Sequence, residues 1–173
     1  CFDPTSPSQR VGGEAISGFE SVVHKVPMQS IDNTYTLSDL HAWHVRMCDS
    51  LGSPPVCTCD PKIDGVAISL RYVNGLLVQA VTRGDGERGD DVTVQAKCVR
   101  AIPLRLRGEN FPEVFEVRGE IFMPNDSFEK INTQREAEGE QQFANARNAT
   151  AGTLKSLDPK TVAQRGLAFL CHG

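Results

Sequence analysis

One lysine lies between two acidic residues at the start of an apolar segment. Lys62 follows Asp60 and precedes Asp64 and Gly65, in the order Cys59-Asp60-Pro61-Lys62-Ile63-Asp64-Gly65. A lysine amine attacks as a nucleophile only after it loses its proton, which burial or cationic neighbours favour. The two aspartates instead favour the ammonium form, unless the charges of a bound nucleotide and metal reset the balance. The motif alone is weak evidence for a nucleophilic lysine, because a surface lysine paired with aspartate is the commoner interpretation of so short a motif.

A β-hairpin is predicted to position this lysine. Residues 66–72 alternate between apolar and polar types, Asn74-Gly75 is a strong turn signal, and residues 76–82 return as the second strand. Antiparallel pairing would bring Lys62, before the first strand, and Arg83, after the second, to the same end of the sheet. A cation at that end suits a phosphate or a ribose.

A third predicted strand, Val114 to Phe122, carries three charges on one face. Glu116, Arg118 and Glu120 alternate with the apolar side chains of this strand. Such a row is typical of a solvated face, and it can also line a polar cleft. The residues alone leave both interpretations open.

The other elements of the chain predict an α+β fold. Thr36 is expected to cap a helix, with Asp39 at the capping-box position, and Gly52-Ser53-Pro54-Pro55 should end it. The remaining predictions are an irregular lead-in over residues 1–35, a flexible acidic turn over 84–91, helix or strand over 92–100, helices from Asp126 and from Asn145, and a last strand from Leu167 to Cys171.

Composition excludes several classes of protein. Apolar residues make up 39% of the 173 residues, charged residues 23%, and the net charge of −4 gives no general attraction to nucleic acid. No apolar run approaches the length of a membrane helix, and no signal peptide is evident. The six cysteines match no zinc or redox spacing, so we expect reduced thiols. Because the chain does not begin with Met, we expect a fragment.

Several further motifs occur in a fixed order after the lysine. They are Thr82-Arg83-Gly84-Asp85-Gly86, Glu116-Val117-Arg118-Gly119-Glu120, Phe143-Ala144-Asn145-Ala146-Arg147-Asn148 and Ala151-Gly152-Thr153-Leu154. In this order and spacing, the chain resembles the adenylation (nucleotidyltransferase) domain of bacterial NAD-dependent DNA ligases from near residue 3 to residue 173. The resemblance implies antiparallel sheets with packed helices in a nucleotidyltransferase core of the ATP-grasp-like ligase type. It divides the chain into a lead-in, 1–35, and a partial adenylation domain, 36–173.

The resemblance also assigns roles to residues. Lys62 would attack the α-phosphorus of NAD, form lysyl-AMP, and so allow nicks in duplex DNA to be joined during replication and repair. The residues that would contact the nucleotide are Ser30, Ile31, Asp60, Asp64, Arg83, Glu120 and His172. Arg147 and Lys155 would contact DNA phosphates. NAD and Mg²⁺ are the implied cofactors, no metal ligand is assigned, and zinc is expected only in regions outside this chain. The implied protein is a cytoplasmic monomer that binds nicked double-stranded DNA and no membrane.

Three residues depart from the family pattern. Asp60 replaces a common glutamate and has a shorter reach, Ala146 replaces a proline, and Lys155 replaces an arginine and loses its bidentate fork. The resemblance places other domains of such ligases outside these residues, so we expect that this chain alone does not seal nicks.

Two other interpretations remain open at this point. One is an ATP-dependent lysine nucleotidyltransferase, which shares the Lys-x-Asp-Gly motif. The other is a non-catalytic nucleic-acid-binding module that uses Arg147 and Lys155.

Overall fold

The computed structural model describes residues 17–108 and 110–173. The first part of the predicted lead-in, residues 1–16 with the Pro- and Gly-rich part at 3–13, lies outside the described residues. The described residues form two compact units, a smaller one from Gln29 to Lys62 and a larger one on either side of it in sequence. The proposed division of the chain at residue 35 stays a prediction.

The regular element of the smaller unit is helix α1, Leu37–Leu51. The side chain of Thr36 accepts a hydrogen bond from the amide of Asp39, and the Asp39 carboxylate accepts one from the amide of Thr36, each at 3.1 Å. This reciprocal pair satisfies two amides that a helix N-terminus leaves without partners. At the other end, Gly52 adopts a left-handed conformation. Both predicted ends of this helix are confirmed.

The larger unit contains a four-stranded and a two-stranded sheet, both antiparallel. In the first, the strand order is β3-β2-β5-β6, and in the second β1 pairs with β4. The strands are β1 Ser21–Val23, β2 Val66–Val73, β3 Leu76–Thr82, β4 Arg88–Asp90, β5 Val114–Phe122 and β6 Ala168–Cys171. The predicted α+β class with antiparallel sheets is thus confirmed.

The turn between β2 and β3 shows why the hairpin signal was reliable. Asn74 has a φ of 48° and Gly75 a φ of 75°. Two consecutive positive values are typical of the turn whose twist matches that of paired strands, and Asn-Gly is its preferred sequence.

One face of the large sheet forms the hydrophobic core. Ile68, Leu70 and Tyr72 alternate along β2 and are each no more than 2% exposed. Four short helices complete this core: α2 Thr93–Cys98, α3 Asn125–Ala137, α4 Ala146–Leu154 and α5 Pro159–Gln164. The opposite face of β2 and β5 is left for polar side chains.

The β1–β4 sheet corrects two predictions. Residues 21–23 were expected to be irregular and residues 88–90 to belong to a flexible turn, yet the two segments pair residue by residue. The local signals were Gly and acidic residues, which favour turns. Pairing between segments more than sixty residues apart in sequence outweighs those signals. Helix α5, with Asp158 as its N-cap, was also not predicted.

Asp85 organises the turn that leads into β4, and this predicts a pH dependence of stability. Its carboxylate accepts hydrogen bonds from the amides of Arg88 (2.7 Å) and Glu87 (2.9 Å). These bonds hold the pKa of Asp85 below its ordinary value. The stabilisation is therefore fully present above the pKa that Asp85 has in the unfolded chain, about 3.9. It is lost as the pH falls through the lower pKa that Asp85 has in the folded chain.

We expect Asp85→Asn to unfold at a lower urea concentration than the unchanged chain at pH 6, and the difference to shrink as pH falls below 4. Glu87→Gln is the matched control, because it removes a neighbouring carboxylate from the same turn. A difference between Asp85→Asn and the unchanged chain that stays constant with pH would contradict this role.

Candidate active site

The loop that carries the lysine motif enters strand β2 against a carboxylate of β5. The amide of Gly65 donates a hydrogen bond to Oε1 of Glu120 at 3.0 Å. In the sheet register, Val66 faces Ile121 and Ala67 faces Glu120. A Cβ at Gly65 would collide with the carbonyl oxygen of Ile121. Glycine at this position therefore permits the close approach that the hydrogen bond needs.

Arg83 lies at the same end of the sheet. Its amide donates to the carbonyl of Ala67 at 3.0 Å, directly beyond the last residue of β3. The ring Nε2 of His24 lies 3.0 Å from the carbonyl oxygen of Thr82 and 3.2 Å from that of Arg83. Because carbonyls only accept, this nitrogen carries a proton. These contacts fix the backbone from which the half-buried Arg83 side chain projects.

Asp64 forms an ion pair that the sequence did not indicate. Nη1 of Arg147, in the first turn of α4, lies 3.2 Å from Oδ1 of Asp64. The resemblance had given these two residues separate roles, one toward the nucleotide and one toward DNA. The side chains are 58% and 66% exposed, so the pair contributes little to stability. Its main effect is to place a cation beside the acid of the lysine motif.

Arg118 is a further polar residue of this face whose contacts sequence reasoning missed. Its guanidinium donates to the carbonyls of Val26 (2.7 Å) and Pro27 (3.1 Å). It also lies 3.6 Å from the carboxylate of Glu116, which accepts a hydrogen bond from the hydroxyl of Ser69 at 2.8 Å. The alternation of charges along β5 was the available signal. It located the polar face but could not identify the carbonyls that Arg118 contacts.

His172 comes directly after β6, the strand that pairs with β5. Its amide donates to the carbonyl of Arg118 at 3.0 Å, and its side chain is exposed. The larger unit therefore places Asp64, Arg83 and Glu120 at one end of the sheet and His172 beside Arg118, two positions before Glu120 on β5. Lys155, the C-cap of α4, is exposed at the far end of that helix from Arg147.

The other predicted site residues belong to the smaller unit. Ser30, Ile31, Asp60 and Lys62 are all exposed within it, and Lys62 is its last residue. The chain continues directly from Lys62 through Ile63 into the loop that Glu120 holds.

In the part of the chain that the structure describes, no three His, Cys, Asp or Glu side chains come close enough together to hold a metal ion. The five cysteines in this part are free thiols, as predicted. Among the same residues, no helix has the length and apolar character needed to cross a bilayer.

Comparison with known proteins agrees with the arrangement of motifs. The family described as "NAD-dependent DNA ligase adenylation domain" matches residues 16–173. A DNA ligase of Ectopseudomonas mendocina (strain ymp) is 47% identical over 180 residues. That alignment covers 98% of this chain and 23% of the relative, so the chain spans about a quarter of the length of this curated relative.

The contact at Gly65 predicts a specific loss of stability. We expect Gly65→Ala to lower the free energy of unfolding by about 1–3 kcal/mol, the usual cost of an overpacked site, because the added methyl group meets the backbone of β5. Urea unfolding followed by circular dichroism measures this. Gly18→Ala is the control, since a Cβ there meets no atom within 4 Å. Equal stability of the two variants would show that the close approach at Gly65 is absent.

Proposed function

Because the chain belongs to the family of NAD-dependent DNA ligase adenylation domains, we propose that it carries out the nucleotidyl-transfer step of a DNA ligase, with Lys62 as the nucleophile. The observation that carries this proposal is the hydrogen bond between Gly65 and Glu120. It joins the lysine motif to the acid of the Val-Arg-Gly-Glu motif at one end of a sheet, as a shared nucleotide site would require.

The proposed first step is an attack by Nζ of Lys62 on the α-phosphorus of NAD. A nitrogen–phosphorus bond forms, the bond from that phosphorus to the bridging oxygen breaks, and nicotinamide mononucleotide leaves. The nitrogen gives up its proton to solvent, and AMP remains on the lysine. AMP then passes to the 5′-phosphate of a DNA nick, where the 3′-hydroxyl displaces it. Such transfers depend mainly on positioning and on stabilisation of charge.

The geometry of the larger unit supports the roles given to its residues. One oxygen of Glu120 accepts the Gly65 amide, and a carboxylate is the kind of acceptor to which ribose hydroxyls donate. Arg83 supplies a cation for ribose or phosphate at the same end of the sheet. The covalent chain limits the Cα of Lys62 to roughly 7 Å from that of Asp64. The nucleophile is therefore confined to the neighbourhood of this end.

The ion pair between Arg147 and Asp64 adds to the role that the resemblance gives Arg147. The guanidinium 3.2 Å from Asp64 offsets part of the negative charge beside the lysine motif. The resemblance implies a DNA contact for Arg147 and Lys155. These two cations are separated by about 12 Å along the helix axis.

The remaining assignments rest on the family. Ser30, Ile31, Asp60 and His172 would contact the adenine and its surroundings, within a nucleotidyltransferase core. Nicked duplex DNA and NAD would be the substrates, and a cytoplasmic monomer is the expected form. Mg²⁺ stays an expectation of the family. We assign no residue and no step to it, because the described residues do not gather three potential ligands.

The test is intact-mass spectrometry of the chain after incubation with NAD and Mg²⁺. We expect an added AMP that peptide mapping places on Lys62, and complete loss of the adduct in Lys62→Ala. Lys160→Ala is the matched control, because it removes an exposed lysine from α5. A parallel sample receives ATP in place of NAD.

The other outcomes separate the competing functions. An adduct that forms from ATP alone would identify an ATP-dependent enzyme. An adduct that persists in Lys62→Ala would refute the assigned nucleophile. Binding of nicked duplex that survives Lys62→Ala, with no adduct from either nucleotide, would favour the non-catalytic module.

A further inference from the structure

Strand β5 holds the polypeptide at the two places where it leaves and re-enters the larger unit. The unit ends at Met28 and resumes at Ile63. Arg118 binds the carbonyls of Val26 and Pro27, just before the exit. Glu120 binds the amide of Gly65, just after the return. The two side chains are two positions apart on one strand, so both project from the same face of the sheet.

Arg118 makes strong hydrogen bonds to the segment just before the chain leaves the larger unit. One guanidinium donates to two successive carbonyls, and hydrogen bonds from a charged donor are stronger than neutral ones. The planar fork of arginine fits two acceptors at once, which the single ammonium of lysine does not. Immediately afterwards, the amide of Met28 donates to the carbonyl of Gly86 at 2.9 Å, and its side chain is only 6% exposed. The chain is thus fixed up to the last residue of the unit.

Arg118 is itself held in place. Its carbonyl accepts hydrogen bonds from the amides of His172 (3.0 Å) and Gly173 (3.1 Å). Glu116 lies beside the guanidinium and is oriented by Ser69. With 26% of its side chain exposed, Arg118 is more enclosed than a surface cation. Its direction toward Val26 and Pro27 is therefore set by its surroundings.

We propose that Arg118 is a positioning residue for the nucleotide-binding segment. It binds the chain at Val26 and Pro27, the latter three residues before Ser30, while Glu120 binds it at Gly65, three residues after Lys62. Tethering both ends of a loop removes much of the conformational freedom that its residues would otherwise lose on binding. The effect on the reaction rests on the proposed function, but the tether itself does not. The family resemblance assigned no contact to Arg118.

Hydrogen exchange tests the tether directly. In Arg118→Met, we expect the amide of Met28 to exchange about tenfold faster or more, the change produced by losing one charge-assisted hydrogen bond. In Arg118→Lys, the exchange rate of the Met28 amide should lie between those of the unchanged chain and Arg118→Met. Arg71→Met is the matched control: Arg71 lies on the neighbouring strand, and its side chain makes no hydrogen bond or ion pair with any residue that the structure describes. Equal exchange rates of the Met28 amide in Arg118→Met and Arg71→Met would show that Arg118 does not hold this segment.

The rate of lysyl-AMP formation tests the positioning role. Because Val26 and Pro27 closely precede the predicted nucleotide contacts Ser30 and Ile31 in sequence, Arg118→Met should raise the NAD concentration that gives half the maximal rate by about tenfold. The maximal rate should change little, and Arg118→Lys should recover part of the loss. A smaller amplitude at an unchanged half-maximal NAD concentration would indicate loss of folded protein and would contradict positioning. Failure of the proposed function would instead appear as no adduct in the unchanged chain. Hydrogen exchange would then decide the tether by itself.

Discussion

The hydrogen bond from the Gly65 amide to the Glu120 carboxylate is the interaction on which the arrangement of the site depends. It joins the loop that follows Lys62 to β5, an interior strand of a four-stranded sheet. A hydrogen bond to a charged acceptor contributes about 1.5–3 kcal/mol, enough to order a loop end. Asp64 and its ion pair with Arg147 lie directly beside it. The hydrogen bond therefore fixes the loop after Lys62 relative to β5.

The alternation of side chains along β2 and β5 provides both the hydrophobic core and the polar face of the candidate site. On β2, Ile68, Leu70 and Tyr72 form one face and are almost completely buried. On β5, Arg118 and Glu120 project from the opposite face and bind backbone groups of other segments. Because neighbouring residues of a strand point to opposite sides, a shift of one residue in register would exchange the two sets. The core therefore enforces the register that the polar contacts require.

Local sequence signals predicted the local structure well. The Asn74-Gly75 turn and the capping box at Thr36 are chemical requirements that a few residues express completely. The charged face of β5 was also visible. The partners of that face were not, because a backbone carbonyl such as that of Val26 has no signature in sequence. Pairing of β1 with β4 escaped prediction for the same reason. The role of Lys62 came from the family resemblance rather than from geometry.

The most direct measurement is the amide proton of Gly65 in ¹H–¹⁵N spectra. If the Glu120 carboxylate holds this amide, Glu120→Ala should move its resonance upfield and speed its exchange with solvent. Glu116→Ala, which removes another carboxylate from the same face, should leave it in place. An unchanged Gly65 resonance in Glu120→Ala, or equal shifts in both variants, would contradict the account.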